Sequence, residues 1–168
     1  MRQREVKQGS RRYRRRPAEK TSQIMSSVRS RENRAEVALR KALWKRGFRY
    51  RTYSATLPGR PDLVFSRARV VVFVDGDFWH GRVFRELGRS ALTRLFAPEK
   101  RAYWVRKICR NVLRDDAQSA ALRADGWLVL RVWESDVLRE APAVVRRVSR
   151  TLRRRLAASS RDRARRPE

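Results

Sequence analysis

The sequence feature that most constrains the fold is an unbroken apolar run at residues 70–74, Val-Val-Val-Phe-Val, which Asp75 follows directly. A run without polar residues predicts a strand covered on both faces, because a strand with one wet face alternates polar and apolar side chains. It is far shorter than the ~20 residues of a membrane-spanning helix. We therefore expect the central strand of a sheet.

The segments around this run predict the order α-β-β-β-α-β-α. Asn33 and Glu36 have the spacing of a capping box and predict a helix that Gly47 ends. Alternating aromatic and arginine residues suit a strand at 48–53. The predicted later elements are strands at 62–65, 70–74 and 127–133 and helices at 98–125 and 141–156. The fold class is accordingly α/β, a central mixed sheet flanked by helices.

The charge of the chain predicts its partner. The 44 Lys and Arg residues against 17 Asp and Glu give the 168-residue chain a formal net charge of +27. Nine basic and two acidic residues give +7 over 1–20, and ten and two give +8 over 146–168. We predict basic disordered arms at 1–20 and 158–168 around a domain at 21–157. Nucleic acid is the first candidate to screen such a charge, and an anionic membrane surface the second.

Two further features narrow the class of protein. No apolar stretch follows the basic N-terminus, so we expect no secretory signal and a cytoplasmic location. The single cysteine, Cys109, excludes an internal disulfide framework and a zinc site built on paired cysteines.

Acidic residues at strand ends carry the candidate chemistry. Asp62 opens one predicted strand, and Asp75, Asp77 and His80 follow the next, so a hairpin would bring them to one end of the sheet. Carboxylates placed together repel each other unless a hard cation neutralises them. Mg²⁺ fits, because it takes one or two carboxylates and binds phosphate oxygens. His80, the one histidine, is a candidate general acid or base.

Each of these residues also has a structural explanation. The alternatives are a turn residue for Asp62, a helix cap for Glu36, a core histidine for His80, and a solvated or arginine-paired helix face for Asp115 and Asp116. Their coincidence in a strongly basic chain favours a nuclease.

Two motifs resemble those of the very-short-patch-repair (Vsr) DNA mismatch endonucleases, Pro-Gly-Arg-Pro-Asp at 58–62 and Phe-Val-Asp-Gly-Asp-Phe-Trp-His-Gly at 73–81. The resemblance covers about residues 20–150. It implies the PD-(D/E)xK restriction-endonuclease-like fold and a monomer that nicks double-stranded DNA beside a T·G mismatch left by deamination of 5-methylcytosine. It also implies a bacterial cytoplasm, association with the nucleoid through DNA, and mismatch-repair proteins as candidate partners.

The resemblance implies five catalytic residues, Asp62, His80, Glu36, Asp75 and Asp115. Asp62 and the backbone carbonyl of Val74 would bind Mg²⁺, and Glu36 would act through metal-bound water. His80 would act on the attacking water or on the scissile phosphate. Asp75 stands where the best-known relative has a histidine, and we expect it to orient water or His80.

The resemblance also implies DNA contacts. Phe78, Trp79 and Trp104 match aromatic residues that enter the base stack beside the mismatch, and Met25, Lys107 and Asn111 are further candidates. Opening a base step costs ~a few kcal/mol, which a mispair lowers and flat apolar side chains recover. Packing in the protein core is the alternative role of the aromatic residues.

One departure from the family concerns zinc. Its members commonly hold a structural zinc, but the matching positions here are Asp77, Arg82, Phe84 and Ser135, none of which is Cys or His. We therefore expect no structural zinc, and packing of the segment 81–98 must replace it.

The leading interpretation is a Mg²⁺-dependent endonuclease that nicks one strand beside a T·G mismatch. A nuclease of restriction or mobile-element type without mismatch specificity is the first alternative. A nucleic-acid-binding protein without catalysis is the second.

Overall fold

The computed structural model describes residues 33–164, with side chains described as far as Arg161, and has a three-stranded sheet at its centre. The strands are β1 (Leu63–Phe65), β2 (Val70–Asp75) and β3 (Leu128–Trp133), in the order β1-β2-β3. β1 is antiparallel and β3 parallel to β2. The apolar run thus forms the middle strand of a mixed sheet, as predicted.

Helices cover both faces of the sheet. They are α1 (Arg34–Lys45), α2 (Arg82–Thr93), α3 (Pro98–Ala124) and α4 (Glu134–Ala164). Leu43 of α1 and Val148 of α4 pack with Val72 on one face, whereas Leu122 of α3 packs with Val71 on the other. This arrangement is consistent with the expected restriction-endonuclease-like fold. Within the described residues, no helix is long and apolar enough to cross a membrane.

Local sequence features correctly predicted the ends of α1. The Asn33 side chain accepts a hydrogen bond of 3.0 Å from the backbone N–H of Ala35, and Gly47 follows the helix with a φ of 86°. Glu36 differs from the expectation of a capping box, because its carboxylate pairs with Arg40 one turn further along α1.

The strand predicted at 48–53 was wrong. In this segment Arg51 exchanges two backbone hydrogen bonds with Val64, of 3.0 and 2.8 Å, as an isolated bridge. β1 is only three residues long, which leaves little edge for a further strand to pair with. Phe48 and Tyr50 instead pack edge-on against the ring of Phe65.

Two helical segments were missed. α2 lies in the segment for which no element was predicted, and the non-helical Gly88 interrupts its periodicity. α4 begins at Glu134, leaves helical geometry at Glu140 just before Pro142, and continues to Ala164. The helix predicted at 141–156 is therefore the second part of α4, which extends into the residues assigned to the basic tail. The arm at 1–20 lies outside the described residues.

Candidate active site

Asp62 and the end of β2 meet at one end of the sheet. The Asp62 Oδ2 accepts a hydrogen bond of 2.7 Å from the backbone N–H of Val74. The backbone N–H and C=O of Val64 point away from β2, because they bond to Arg51. Those of the preceding residue, Leu63, therefore point towards β2, where Leu63 is paired with Val72. Val74 lies two residues beyond Val72, so its N–H and C=O point to the same edge, past the end of β1. The hairpin thus places Asp62 as predicted.

Burial raises the pKa of the Asp62 carboxyl to about 6, from an ordinary value of 3.8. The hydrogen bond from Val74 and the charge of Arg40 lower this pKa, whereas the negative charges of Glu36 and Asp75 raise it. Loss of solvation has the largest effect, since burial penalises the charged form. The ionised carboxylate is therefore in an unfavourable environment, which a bound cation would improve.

Glu36 supports this site from α1. Its side chain is 7% exposed, and its Oε1 lies 2.5 Å from Nη2 of Arg40. Arg40 also donates a hydrogen bond of 2.8 Å to the hydroxyl of Tyr53. Glu36 is thus a buried, charge-compensated carboxylate close enough to influence Asp62.

His80 lies in the loop after β2 and faces α3. Its Nδ1 is 2.7 Å from Asp115 Oδ2 and 3.5 Å from Asp75 Oδ1. A neutral imidazole placed in this way carries its proton on Nδ1, because its nearest partner is a carboxylate oxygen that accepts. Nε2 is then unprotonated and can accept a proton. The His80 side chain is 28% exposed, whereas both carboxylates are almost completely buried.

Gly81 allows this loop to approach α3 closely. Its φ is 69°, and a Cβ at this position would lie 2.7 Å from Val112 Cγ2 and 3.0 Å from Ile108 Cγ2. A larger residue would both adopt a strained backbone and push the loop away from a packed helix. The glycine therefore helps its neighbour His80 to reach Asp115.

Asp75 is held by an arginine that the sequence analysis did not select. Arg131 of β3 donates from Nε to Asp75 Oδ2 and from Nη2 to Asp75 Oδ1, both at 2.6 Å. Arg131 is paired in register with Phe73, and its guanidinium lies 4.6 Å from the centre of the Phe73 ring. A lone arginine within the apolar strand β3 was the available sequence signal. The expected role of Asp75 in orienting water or His80 stays a prediction.

Asp62 offers a carboxylate that no cationic side chain of the described residues pairs with. The other carboxylates of the site lie within ion-pair distance of Arg or His, but Asp62 has no such partner in the described part of the chain. The described residues also contain no cluster of three or more His, Cys, Asp or Glu side chains able to hold a metal. A sparse site made of Asp62 and the Val74 carbonyl still fits Mg²⁺, because this ion keeps several waters and binds phosphate oxygens.

The three aromatic residues expected to enter the base stack form one aromatic cluster next to His80. Phe78 lies 5.0 Å from Trp79 and 5.5 Å from Trp104, measured between ring centres. Phe96 stacks on Trp104 at 6.0 Å, and Tyr103 contacts Trp104 edge-on at 5.1 Å. Phe96 and Tyr103 were missed, because aromatic residues near a helix start have no distinctive spacing. The cluster includes core contacts of Phe78, so it contributes to packing, and its contact with DNA stays a prediction.

Lys107 and Asn111 of α3 attach to this aromatic cluster. The ammonium of Lys107 lies 5.2 Å from the ring centre of Trp79 and 5.4 Å from that of Trp104. Asn111 donates a hydrogen bond of 3.1 Å to the backbone carbonyl of Trp79. The Nε1 of Trp79 is buried without a hydrogen-bond partner in the described structure. Such an unpaired buried donor is costly. Met25 lies outside the described residues.

Three of the four positions expected to match zinc ligands, Asp77, Arg82 and Ser135, form a polar network. Arg82 Nη1 lies 3.0 Å from Asp77 Oδ1, 2.7 Å from Ser135 Oγ and 2.7 Å from Asp136 Oδ1. Burial opposes ionisation of Asp77, but hydrogen bonds from Ser135 and Arg82 outweigh it and hold the pKa of Asp77 below its usual range. The network connects the loop after β2 to the start of α4. Phe84 packs apart from it, in the apolar core between α2 and α3.

Comparisons with known proteins show what the chain is similar to. A model of the family described as DNA mismatch endonuclease Vsr matches residues 16–86. The DNA mismatch endonuclease Vsr of Escherichia coli strain K12 is 36% identical over 113 residues, which are 67% of this chain and 68% of the relative.

Other similar proteins carry a different description. The type II nicking enzyme V.NmeDIP of Neisseria meningitidis serogroup C is 37% identical over 135 residues, covering 80% of this chain and 87% of the relative. The type II nicking enzyme V.XorIIP of Xanthomonas oryzae pv. oryzae is 41% identical over 119 residues, covering 71% and 82%. The similarity thus extends over most of both chains in each pair.

Proposed function

We propose, since the chain belongs to the Vsr family of DNA endonucleases, that it uses Mg²⁺ to nick one strand of double-stranded DNA beside a T·G mismatch. Membership of the family makes the chain a DNA endonuclease. The T·G mismatch, as left by deamination of 5-methylcytosine, and the metal are the parts that we add. One observation carries the proposal. Residues 78–80 join the aromatic cluster directly to His80 of the acidic site, which we define as Glu36, Asp62, Asp75, His80 and Asp115.

The acidic site can hydrolyse a phosphodiester with few groups. His80 Nε2 accepts a proton from the attacking water, or contacts the scissile phosphate, while Asp115 fixes the ring through Nδ1. The water oxygen forms a bond to phosphorus as the bond from phosphorus to one ester oxygen breaks. That oxygen leaves with the bonding electron pair and takes a proton from bulk water. Asp115 and Asp75 are buried, whereas the His80 side chain is partly exposed, so His80 and neither carboxylate can take the proton of the attacking water.

Mg²⁺ would be held by Asp62 and the carbonyl of Val74, and when bound it supplies a Lewis acid that stabilises charge on the phosphate. Asp62 is oriented for this role by the N–H of Val74, which occupies its Oδ2. Glu36 adds negative charge nearby and is itself compensated by Arg40.

The aromatic cluster would select the mismatch. Trp79 and Trp104 are partly exposed, and stacking on the bases beside a mispair offsets the cost of opening that step. A T·G pair is easier to open than a matched pair, so the same insertion is less costly there. Lys107 adds a positive charge beside the two rings, where it can contact the DNA.

A nicking endonuclease without mismatch preference is the second candidate. It is favoured by the names of several similar proteins, which are described as type II nicking enzymes. The two candidates share the acidic site and differ in the use of the aromatic cluster. A monomeric state, a cytoplasmic location and cooperation with mismatch-repair proteins stay predictions.

The decisive experiment compares cleavage of mismatched and matched duplexes in Mg²⁺. Because the recognised flanking bases are unknown, a single T·G pair is placed within randomised flanks, and each strand carries a different label. Matched duplexes with the same flanks and duplexes with other mispairs complete the panel. We expect a nick in one strand, next to the T·G pair, and intact matched DNA.

The Asp62→Ala variant is the control for contaminating nuclease. We expect it to bind the duplex and not to nick it. Equal nicking of matched and mismatched DNA by the wild type would refute the mismatch proposal and favour the second candidate. Nicking by Asp62→Ala at the wild-type rate would show that the assigned site is wrong.

A further inference from the structure

Arg131 is the cation at the centre of the buried charges around His80. Its side chain is 18% exposed and comes from the middle of β3, where the other residues are apolar. Burial lowers the pKa of Arg131, but the hydrogen bonds and charge of Asp75, with the charge of Asp115, more than compensate and raise it. The guanidinium is thus a permanent positive charge in a partly buried place.

The contacts of Arg131 reach the His80 ring and both carboxylates that face it. Besides the two hydrogen bonds to Asp75, its Nη2 lies 3.6 Å from Asp115 Oδ2 and 3.5 Å from His80 Nδ1. Its Nη1 lies 3.3 Å from Ser119 Oγ and 3.5 Å from the Asp115 carbonyl. A planar group with contacts on both sides holds two carboxylates at a fixed separation.

We propose that Arg131 is a positioning residue for strand nicking: it keeps the His80 imidazole neutral, with Nδ1–H donating a hydrogen bond to Asp115 and Nε2 free to accept a proton. This inference rests on the proposed nuclease function.

The physical reason is the balance of charge around one imidazole. Asp75 and Asp115 both face Nδ1, and two buried carboxylates without a counter-charge would stabilise the imidazolium. A permanently protonated His80 could not accept a proton from water. Arg131 cancels one of the two negative charges and leaves a single carboxylate to orient the ring.

The other elements packed around His80 carry few additional charges. Arg85 of α2 contacts the backbone carbonyl of His80 at 3.4 Å and pairs with Asp116 at 2.7 Å. Arg114 lies 3.8 Å from Asp115 Oδ1 and is largely exposed. These exposed arginines are screened by water, so Arg131 has the dominant positive influence.

The test uses His80 itself as a reporter, because the chain contains one histidine. Long-range ¹H–¹⁵N NMR spectra of the full-length protein then show the signals of one imidazole. These signals give its tautomer and its titration midpoint without a residue-specific assignment. In the wild type at neutral pH we expect the Nδ1–H tautomer. In Arg131→Met we expect the titration midpoint of His80 to rise by about one pH unit, as expected for an uncompensated neighbouring carboxylate.

The kinetics of nicking of an intact duplex provide the second readout. For Arg131→Met we expect the single-turnover nicking rate at neutral pH to fall at least ~10-fold, with the acid limb of its pH profile moved upward and duplex affinity unchanged. Arg131→Lys should keep the pH profile near that of the wild type, but not the full rate, since an ammonium cannot bind both Asp75 oxygens. Arg85→Met is the matched control and should retain the wild-type midpoint.

A charge-balanced double variant separates the effect of charge on His80 from a defect in folding. Asp75→Asn with Arg131→Met removes one negative and one positive charge, so the His80 midpoint should return toward that of the wild type. A wild-type midpoint and pH profile in folded Arg131→Met would overturn the inference. Because the NMR readout needs no DNA, it remains decisive for Arg131 even if the mismatch proposal fails.

Discussion

Replacing Asp62 by asparagine should stabilise the metal-free protein at neutral pH. Asparagine retains a side-chain oxygen that can accept the N–H of Val74, as Asp62 Oδ2 does. It removes the negative charge that burial and the charges of Glu36 and Asp75 disfavour. The D62N variant should therefore lose activity and gain stability.

The magnitude follows from the pKa of Asp62. The shift from 3.8 to about 6 corresponds to at most ~3 kcal/mol, at ~1.4 kcal/mol for each pH unit. Because the side chain is only partly buried, solvent screening reduces this figure, and we expect D62N to raise the free energy of unfolding by ~1–2 kcal/mol.

The sign of the effect depends on pH. In the native protein Asp62 binds a proton more tightly than in the unfolded chain, so its contribution to stability falls as the pH rises from about 4 to about 6. D62N lacks this loss. The stability difference between the two proteins should therefore be near zero below pH 4 and reach its full size above pH 6.

Denaturant unfolding of full-length protein across this pH range, in the presence of a chelator, measures the difference. The matched control is Glu99→Gln, an exposed carboxylate in the first turn of α3, which should change stability little at any pH. Above saturation, Mg²⁺ should stabilise the wild type by an amount that grows with the logarithm of the Mg²⁺ concentration. It should stabilise D62N much less. A D62N variant less stable than the wild type at pH 8, or a difference independent of pH, would refute this reasoning.

Two further substitutions test the aromatic cluster and the polar network. Trp79→Ala should reduce the preference for T·G over matched duplex more than it reduces the total affinity. Trp44→Ala, at an exposed tryptophan outside the cluster, should leave this preference unchanged. Competition binding with the two duplexes measures the preference, and an unchanged value in Trp79→Ala would exclude insertion of Trp79 beside the mismatch. Arg82→Met should lower the free energy of unfolding by ~2–4 kcal/mol, because it leaves Asp77 without its cation and Asp136 with only Arg139, at 4.0 Å. A free energy of unfolding within ~0.5 kcal/mol of the wild type would mean that the network contributes little.

The elements that the sequence predicted correctly depend on neighbouring residues. The start of α1 follows from the cap at Asn33, and the hairpin follows from the apolar run, the basic turn before it and Asp62 at its other end. The strand wrongly expected at 48–53 depended on partners far along the chain. Its alternating pattern was present, but β1 offered a single residue, Val64, for pairing.

The site shows the same limit at the level of side chains. Asp62, His80 and Asp115 could be selected from the sequence, through motifs and the resemblance that they carry. Arg131 could not be assigned, because its significance arises only when the parallel pairing of β2 with β3 places it on the same face as Asp75. Asp75 and Arg131 lie 56 residues apart in the sequence, and no local pattern specifies the register of β2 against β3.

The distribution of arginines around the site is itself an argument about its chemistry. In a chain of net charge +27, positive side chains are plentiful, and Glu36, Asp75 and Asp77 each have an arginine at 3.0 Å or closer. Asp62 has none within ion-pair distance among the described residues. An arginine there would lower its pKa and stabilise the fold, but it would also occupy the oxygen that a metal needs. Among the described residues, the protein instead tolerates an unfavourable carboxylate at Asp62, as the proposed binding of a cation at this position requires.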